Sequence, residues 1–327
     1  MSDVELVEVA SAEAGMRLDR WFRAHYPSIA HGALQKLLRT GQIRVDGGRA
    51  KANARLAAGQ QVRVPPVKFD AVRPKARRGL SAEDRRFIQS LVIHKDKDIL
   101  ALNKPAGLAV QGGTGTTRHI DKLLDGLQFD ASERPRLVHR LDKDTSGVLL
   151  LARNRAAASA LGDTLKDRAA IKTYWALLKG VPSPRRGEIS LRLVKKGGAG
   201  AERIHIAEEG EAGAMKAITR YAVIEPAGSK LCWAALWPLT GRTHQLRVHL
   251  AAIGHPIVGD GKYGGSDAHP GGDISGKLHL HARKIEIPHP SGGNFRISAR
   301  LPDHMLKTWK LFGFDPDLES EPFEDEV

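Results

Sequence analysis

Leu137-Val-His-Arg-Leu-Asp-Lys-Asp-Thr-Ser-Gly-Val-Leu-Leu-Leu-Ala152 is the stretch whose reading decides the fold. It splits into a polar run, from His139 to Gly147, and an unbroken apolar run from Val148 to Ala152. The apolar run fits a strand buried on both faces, the kind found inside a large sheet. Charged side chains on a turn held by rigid strands are common catalytic positions. Asp142 and Asp144 are both candidate carboxylates, and spacing alone does not choose between them. A solvated turn with Asp144 or Thr145 as a local cap fits the same residues.

Outward from that strand, Asp98–Leu102, Thr173–Leu178, Leu231–Trp237 and Lys284–Pro288 are strand-like, while Arg155–Arg168 and Thr243–Ile253 carry helical patterns. In the second of these helices Leu246, Leu250 and Ile253 face the core, with Arg247 beside that stripe near the rim. The mixture predicts an α+β domain on a large sheet, spanning 87–313. Towards the N-terminus, Leu18, Trp21, Phe22 and Tyr26 recur at helical spacing until Pro27, and Leu34, Leu37 and Leu38 suggest a second helix ending at Gly41. Ile43 and Val45 alternate with polar residues up to the Asp46-Gly47 turn signal, and Val62 and Val64 repeat the alternation before Pro65-Pro66. These elements predict a small α/β domain over 1–66 with its core in 16–64. Residues 67–86, rich in Pro, Lys and Arg, read as a basic linker. Residues 314–327 read as a disordered tail, since from Asp315 onward seven of thirteen residues are acidic and none is Lys or Arg.

Bulk composition agrees with two domains, because 327 residues exceed what one hydrophobic core usually supports. The net charge is +14, and between Met16 and Leu80 fifteen Lys and Arg face only Asp19, Asp46 and Asp70. So concentrated a charge points to a polyanionic partner, although charge alone does not separate nucleic acid from an anionic membrane. No run approaches 18 uninterrupted apolar residues, so no membrane span is expected. Cys232 is the only cysteine, which excludes an intrachain disulfide and suits a reducing compartment; its apolar neighbours make it a packed core residue. The acidic N-terminus lacks the pattern of a secretory signal, and the expected location is the cytoplasm. Gln111-Gly-Gly-Thr-Gly lacks the Gly-Lys-Ser/Thr ending of a phosphate loop. His244, His249 and His255 form no i, i+4 pair and have no cysteine beside them, so a zinc site is not expected.

His139-Arg-Leu-Asp-Lys-Asp-Thr-Ser-Gly resembles the signature of the RluA-type pseudouridine synthases, which modify large ribosomal RNA and some tRNAs. Three further stretches resemble that family in the required order. They are Asp98-Ile-Leu-Ala-Leu-Asn-Lys-Pro-Ala-Gly, Lys172-Thr-Tyr-Trp-Ala-Leu, and Gly241-Arg-Thr-His-Gln-Leu-Arg-Val-His-Leu with the Gly-His-Pro-Ile that follows it. The stretch from Leu278 to Pro302 extends the likeness. Arg17–Val64 separately resembles the S4 RNA-binding domain. Val62-Arg-Val-Pro-Pro-Val-Lys and Glu202-Arg-Ile look most like the C branch, which acts on large-subunit rRNA. Gln111 departs from the family, whose members often carry His before the glycines, and this bears only on local loop detail.

The resemblance implies a catalytic domain on a large mixed, mainly antiparallel sheet. It also implies isomerisation of specific uridines in large-subunit rRNA. The reaction breaks N1–C1′ and rejoins the base through C5, and because no atom is gained no cofactor or metal is implied. By the same resemblance Asp142 is the nucleophile or stabilising carboxylate, Arg247 its ion-pair partner, and Tyr174 the aromatic that packs on the target base. Arg140 matches the position that fills the space left by an extruded base, and His139, Lys172, Arg242 and His244 are expected to bind substrate. Arg17, Arg20, Lys36, Arg39 and Arg44 are the expected RNA contacts of the S4-like domain. The partner is large-subunit rRNA, with no membrane and no metal, and a monomer is expected. The alternatives are a tRNA-directed synthase, a glycoside or nucleoside hydrolase using Asp144 as second carboxylate, and an RNA-binding assembly protein without catalysis.

Overall fold

The computed structural model describes residues 4–27, 29, 31–66, 80–113, 116–167, 170–197, 203–319 and 322–323. The chain forms two compact units, 1–79 and 80–327.

In the first unit two helices, Leu18–His25 and His31–Arg39, accompany a four-stranded antiparallel sheet. Leu18, Trp21 and Phe22 fall on one face of the first helix and are fully buried, packing with Leu34, Leu38, Ile43, Val62 and Val64. The Asp46-Gly47 turn joins the short strands Arg44–Val45 and Gly48–Arg49, and Gln61–Val64 lies beside Arg44–Val45. A further strand, Glu5–Glu8, pairs with Gln61–Val64, and Val9 enters the core behind it. The core therefore reaches upstream of residue 16. That strand is acidic and one-sided, with Leu6 65% exposed, so it carries little hydrophobic pattern.

The second unit is built on an eleven-stranded sheet. Its strands run in the spatial order Arg203–Ile206, Arg186–Lys196, Met215–Ala227, Leu231–Pro238, Ile171–Lys179, Leu280–Pro288, Ser146–Ala152, Ile99–Lys104 and Val92–Lys95. Asn294–Ser298 pairs with Leu280–Pro288, and Arg136–Leu137 with Ser146–Ala152. Among the described residues every pairing between these strands is antiparallel except one, His281 and Ala282 alongside Ser146 and Gly147. The sheet is mixed and mainly antiparallel, as expected. All seven residues of Ser146–Ala152 are buried because both faces are covered.

Alternation along the strands sorts the core into two sides. Leu149 and Leu151 pack with Leu100 and Leu102 under helix Ala82–Ser90, while Val148 and Leu150 pack with Ala157 and Leu161 of helix Arg155–Lys166. Ala176 and Leu178 pack with Leu246 and Leu250 of helix Gln245–Ala252, while Trp175 and Leu177 pack with Trp233 and with Trp309 of helix Asp303–Phe312. Tyr174 touches both clusters on the first side and so marks the seam between them. Cys232 is buried among apolar neighbours, which push its thiol up to about 12.

Two boundaries differ from expectation. The linker was expected to run through residue 86, yet helix Ala82–Ser90, capped by the Ser81 hydroxyl, packs Phe87 and Ile88 into the core with Leu80. Residues 67–79 of that linker lie outside the described residues. The acidic tail is not wholly loose either. Phe314 and Phe323 are 3% and 5% exposed and join the tryptophan cluster, so these aromatics anchor a segment whose composition alone suggests disorder.

Candidate active site

The polar run of the opening stretch connects two neighbouring strands. The chain leaves the sheet after Leu137, opposite Leu151, and re-enters at Ser146. Several contacts fix this turn. Leu141 is buried in the core at its centre, and the backbone N–H of Thr145 donates to the Asp142 carbonyl at 3.2 Å. Lys104, fully buried at the end of its strand, donates to the carbonyls of Pro105, Leu108 and Lys143 at 2.9, 2.8 and 3.0 Å. Burial lowers its ammonium to about 7, opposed by the nearby Asp144 and Asp142 carboxylates. Below the turn, Gly147 has φ +109°, and a Cβ there would stand 2.2 Å from the Ala282 carbonyl oxygen, so only glycine permits the parallel pairing. Ser146 donates to His281 Nδ1 at 2.9 Å, and His281 Nε2 donates to the Ala299 carbonyl at 3.1 Å.

His139 makes a structural contact that the sequence did not foretell. Its Nε2 accepts the Leu150 backbone N–H at 2.8 Å, completing the ladder just where Arg136–Leu137 has ended. Burial, assisted by nearby Lys172, lowers the ring to about 3, so the imidazole is neutral and acts as an acceptor. His139 lines the cleft, but this ring nitrogen is committed to the strand rather than to substrate.

Asp142, Tyr174, Lys172, Arg140, Arg242, His244 and Arg247 all line one cleft of about 390 Å³. Leu246 and Leu280 give it an apolar wall, and the end of helix Arg155–Lys166 contributes Leu165 and Lys166. Tyr174 keeps its proton, since burial and the Asp142 carboxylate both raise its hydroxyl. Burial lowers the Lys172 ammonium, and Arg140 is exposed at the mouth.

Arg242 and His244 sit on a loop organised by Gln245. The buried amide accepts from the Thr240 hydroxyl and the Arg242 N–H, at 2.7 and 3.0 Å, and donates to the Ile218 carbonyl and Thr219 hydroxyl, both at 2.9 Å. His244 takes a left-handed conformation, φ +52°. The Tyr263 hydroxyl accepts the Ile204 N–H at 3.2 Å and is hydrogen-bonded to His244 Nδ1 at 2.7 Å. The other ring nitrogen, Nε2, stands 3.9 Å from Asp142 Oδ2. Burial lowers the His244 pKa, with Asp142 opposing and Arg247 and Lys262 assisting.

The expected Asp142–Arg247 ion pair is not formed. Arg247 Nε and Nη2 instead grip Asp260 at 2.8 and 2.6 Å, and Asp260 also accepts the N–H groups of Lys262 and Tyr263 at 3.1 Å each. Both partners are buried, Arg247 7% and Asp260 1% exposed, so Arg247 is not at the rim. The cause is that residues 245–250 are buried on every side, leaving the helix no solvated face. Arg247 Nη1 has no hydrogen bond among the described residues, and the guanidinium lies 5.2 Å from the centre of the Tyr263 ring. Asp260, Tyr263, Lys104 and Gln245 were not singled out from sequence. Asn-Lys-Pro-Ala-Gly directly after a strand was the available signal for Lys104, and Gly-Asp-Gly-Lys-Tyr-Gly for Asp260 and Tyr263.

Asp142, His244 and Arg247 also line an adjoining cavity of about 590 Å³. No group of three His, Cys, Asp or Glu among the described residues is arranged to hold a metal, and none of the described helices is long and apolar enough to cross a membrane.

In the first unit, Arg20, Lys36 and Arg39 are exposed. Arg17, its side chain 42% exposed, is also held by Asp19, its Nε and Nη2 at 3.1 and 2.6 Å from the carboxylate, and exposed Arg44 donates to the Gly41 and Gly47 carbonyls.

Known proteins share this sequence and fold. Residues 98–252 match the family described as RNA pseudouridylate synthase. The chain is 36% identical to RNA pseudouridine synthase 4, mitochondrial, from Arabidopsis thaliana, over 95% of its own length and 82% of the relative's. It is 35% identical to ribosomal large subunit pseudouridine synthase C of Escherichia coli K12, over 93% and 95%. Among solved structures, human RNA pseudouridylate synthase domain containing 4 superposes with a TM-score of 0.59 at 27% identity, covering 71% of this chain and 97% of that one.

Proposed function

The chain belongs to the RNA pseudouridylate synthase family, and from that premise we propose that it isomerises uridines of large-subunit ribosomal RNA with Asp142 as the reacting carboxylate. The observation that carries this reading is convergence. Side chains from residues 140 to 247 meet around one carboxylate in one cleft, together with an aromatic ring, leucines and several cations.

The chemistry suits that arrangement. The N1–C1′ bond breaks, the base turns, and C5–C1′ forms; C5 gives up its proton to solvent and N1 gains one. A base freed from its sugar needs an apolar, flat-walled space in which to turn, and Tyr174, Leu246 and Leu280 supply one. His244, whose pKa burial lowers, stands beside Asp142 with Nε2 3.9 Å from Oδ2, so the carboxylate has a polar neighbour that does not neutralise it. Arg247, fixed by Asp260, lines the cleft and adds positive potential beside Asp142 without moving. A uridine in folded RNA has to leave its stack to reach Asp142, and exposed Arg140 at the mouth is placed to fill the gap with its planar cation.

Arg20, Lys36 and Arg39 supply exposed charge for phosphate contacts in an S4-like first unit, with Arg17 and Arg44 held partly by internal partners. Such a protein works in the cytoplasm on rRNA and as a monomer. The test is a map of pseudouridines in large-subunit rRNA from cells with and without the gene. Loss of particular pseudouridines supports the reading; an unchanged rRNA map with losses confined to tRNA would replace rRNA by tRNA as substrate.

A further inference from the structure

Resting on that reading, we infer that the cavity adjoining the cleft is a subsite for the phosphodiester backbone next to the target uridine. Asp142 stands on the partition between the two spaces, lining both. The bond that breaks joins the base to its ribose, so whichever carbon Asp142 attacks, base and sugar lie on opposite sides of the reacting centre. Tyr174, Leu246 and Leu280 make the first space the place for the base. The second then faces the ribose and its phosphates.

The second space is built for such a group. Glycines from separated segments, Gly107, Gly259, Gly261 and Gly276, stand in its wall among charged side chains. Gly259 has φ +81°, and a Cβ there would meet the Lys277 carbonyl oxygen at 2.0 Å, so only glycine lets these two segments close up. Gly107 donates its N–H to the Lys143 carbonyl at 2.9 Å, which joins this wall to the Asp142 turn. Backbone without side chains permits close approach of a bulky sugar–phosphate. Around it stand Lys143 and Lys277, both exposed, and half-buried Lys262 over the Tyr263 ring. Ammonium groups on flexible stems are effective partners for phosphate oxygens. The carboxylates at this wall are Asp142 and exposed Asp144, and Arg247 is balanced by Asp260, which leaves Lys143 and Lys277 as its exposed cations.

The experiment uses the full-length protein and an rRNA fragment containing a mapped target, with kcat and KM measured across a range of salt. Lys143→Gln and Lys277→Gln each raise KM about tenfold, the loss of one charge-assisted phosphate contact. Each also flattens the log–log salt dependence by roughly 0.7, with kcat little changed. A methylphosphonate linkage beside the target uridine raises the wild-type KM to a similar degree and adds little to the defect of the lysine variant facing that linkage. Wild-type KM and salt slope in both variants, a fall confined to kcat, or full additivity of neutral linkage and lysine loss for both lysines would overturn the subsite while leaving the activity in place. Because both side chains are exposed, thermal melts should match wild type; if they do not, the methylphosphonate acting on unaltered protein decides alone. A wild-type protein that forms no pseudouridine in any large-subunit fragment would overturn the functional reading and the subsite together.

Discussion

Arg247 is held by Asp260, thirteen residues further along the chain, with two nitrogens on two carboxylate oxygens at 2.8 and 2.6 Å. Asp142 therefore feels a cation that another carboxylate has already fixed in place. Removing one partner of a buried pair strands the other and costs about 3–5 kcal/mol. Arg247→Met and Asp260→Asn are expected to lower thermal stability and turnover together, and the double variant to be little worse than either single one. Full activity in Asp260→Asn beside an inactive, normally stable Arg247→Met would show that Arg247 acts without Asp260.

His139 is expected to work as a positioning residue. Its Nε2 ties the segment entering the Asp142 turn to Leu150, and a displacement of about 1 Å at a reacting group can cost about 10²-fold in rate. His139→Ala should lower kcat on that scale with KM near normal, and His139→Gln, which presents an oxygen at similar reach, should restore most of it. Rescue failing while KM rises would make His139 a substrate contact.

The buried histidines set a dependence of stability on pH. Burial lowers His139 and His281 to about 3 and His249 and His279 to about 4, against 6.5 for an ordinary histidine. These rings are neutral in the folded chain, and the unfolded chain takes up protons that the folded chain refuses. Their contribution is complete above pH 6.5 and is lost as pH falls from there towards 3. Near pH 5, unfolding of the second unit should bind about 3–4 protons, read from the slope of stability against pH. A slope below about one proton would mean these rings are charged or exposed.

Much of this fold was legible because its decisive elements carry strong local patterns. Val148–Ala152 is a continuous apolar run, and the spacing of Leu246 and Leu250 gave the helix that holds Arg247. Arg186–Lys196 was not read as a strand because it is mostly exposed and charged. The Arg247–Asp260 pair could not be read because a charged residue does not name its partner; the helix is buried on all sides, and only tertiary packing says so. Phe323 was missed for the opposite reason, one aromatic outweighing an acidic surrounding.

The first unit, with its exposed Arg20, Lys36 and Arg39, is expected to grip RNA and take little part in the chemistry. Removing residues 1–79 should weaken rRNA binding and flatten its salt dependence, with activity lost mainly through KM and partly restored at low salt. Collapse of kcat with the salt slope unchanged, in a truncated protein shown to be folded, would place this unit in the catalytic site.

The central claim is that Asp142 reacts and Asp144 does not, although the two are neighbours on one turn and both line the second cavity. The direct measurement is release of tritium from [5-³H]uridine in rRNA, which follows loss of the C5 proton. Asp142→Asn should release none above background while binding the RNA within a few-fold of wild type, and Asp144→Asn should stay active. Sustained tritium release by folded Asp142→Asn, or silence from Asp144→Asn alone, would contradict the account.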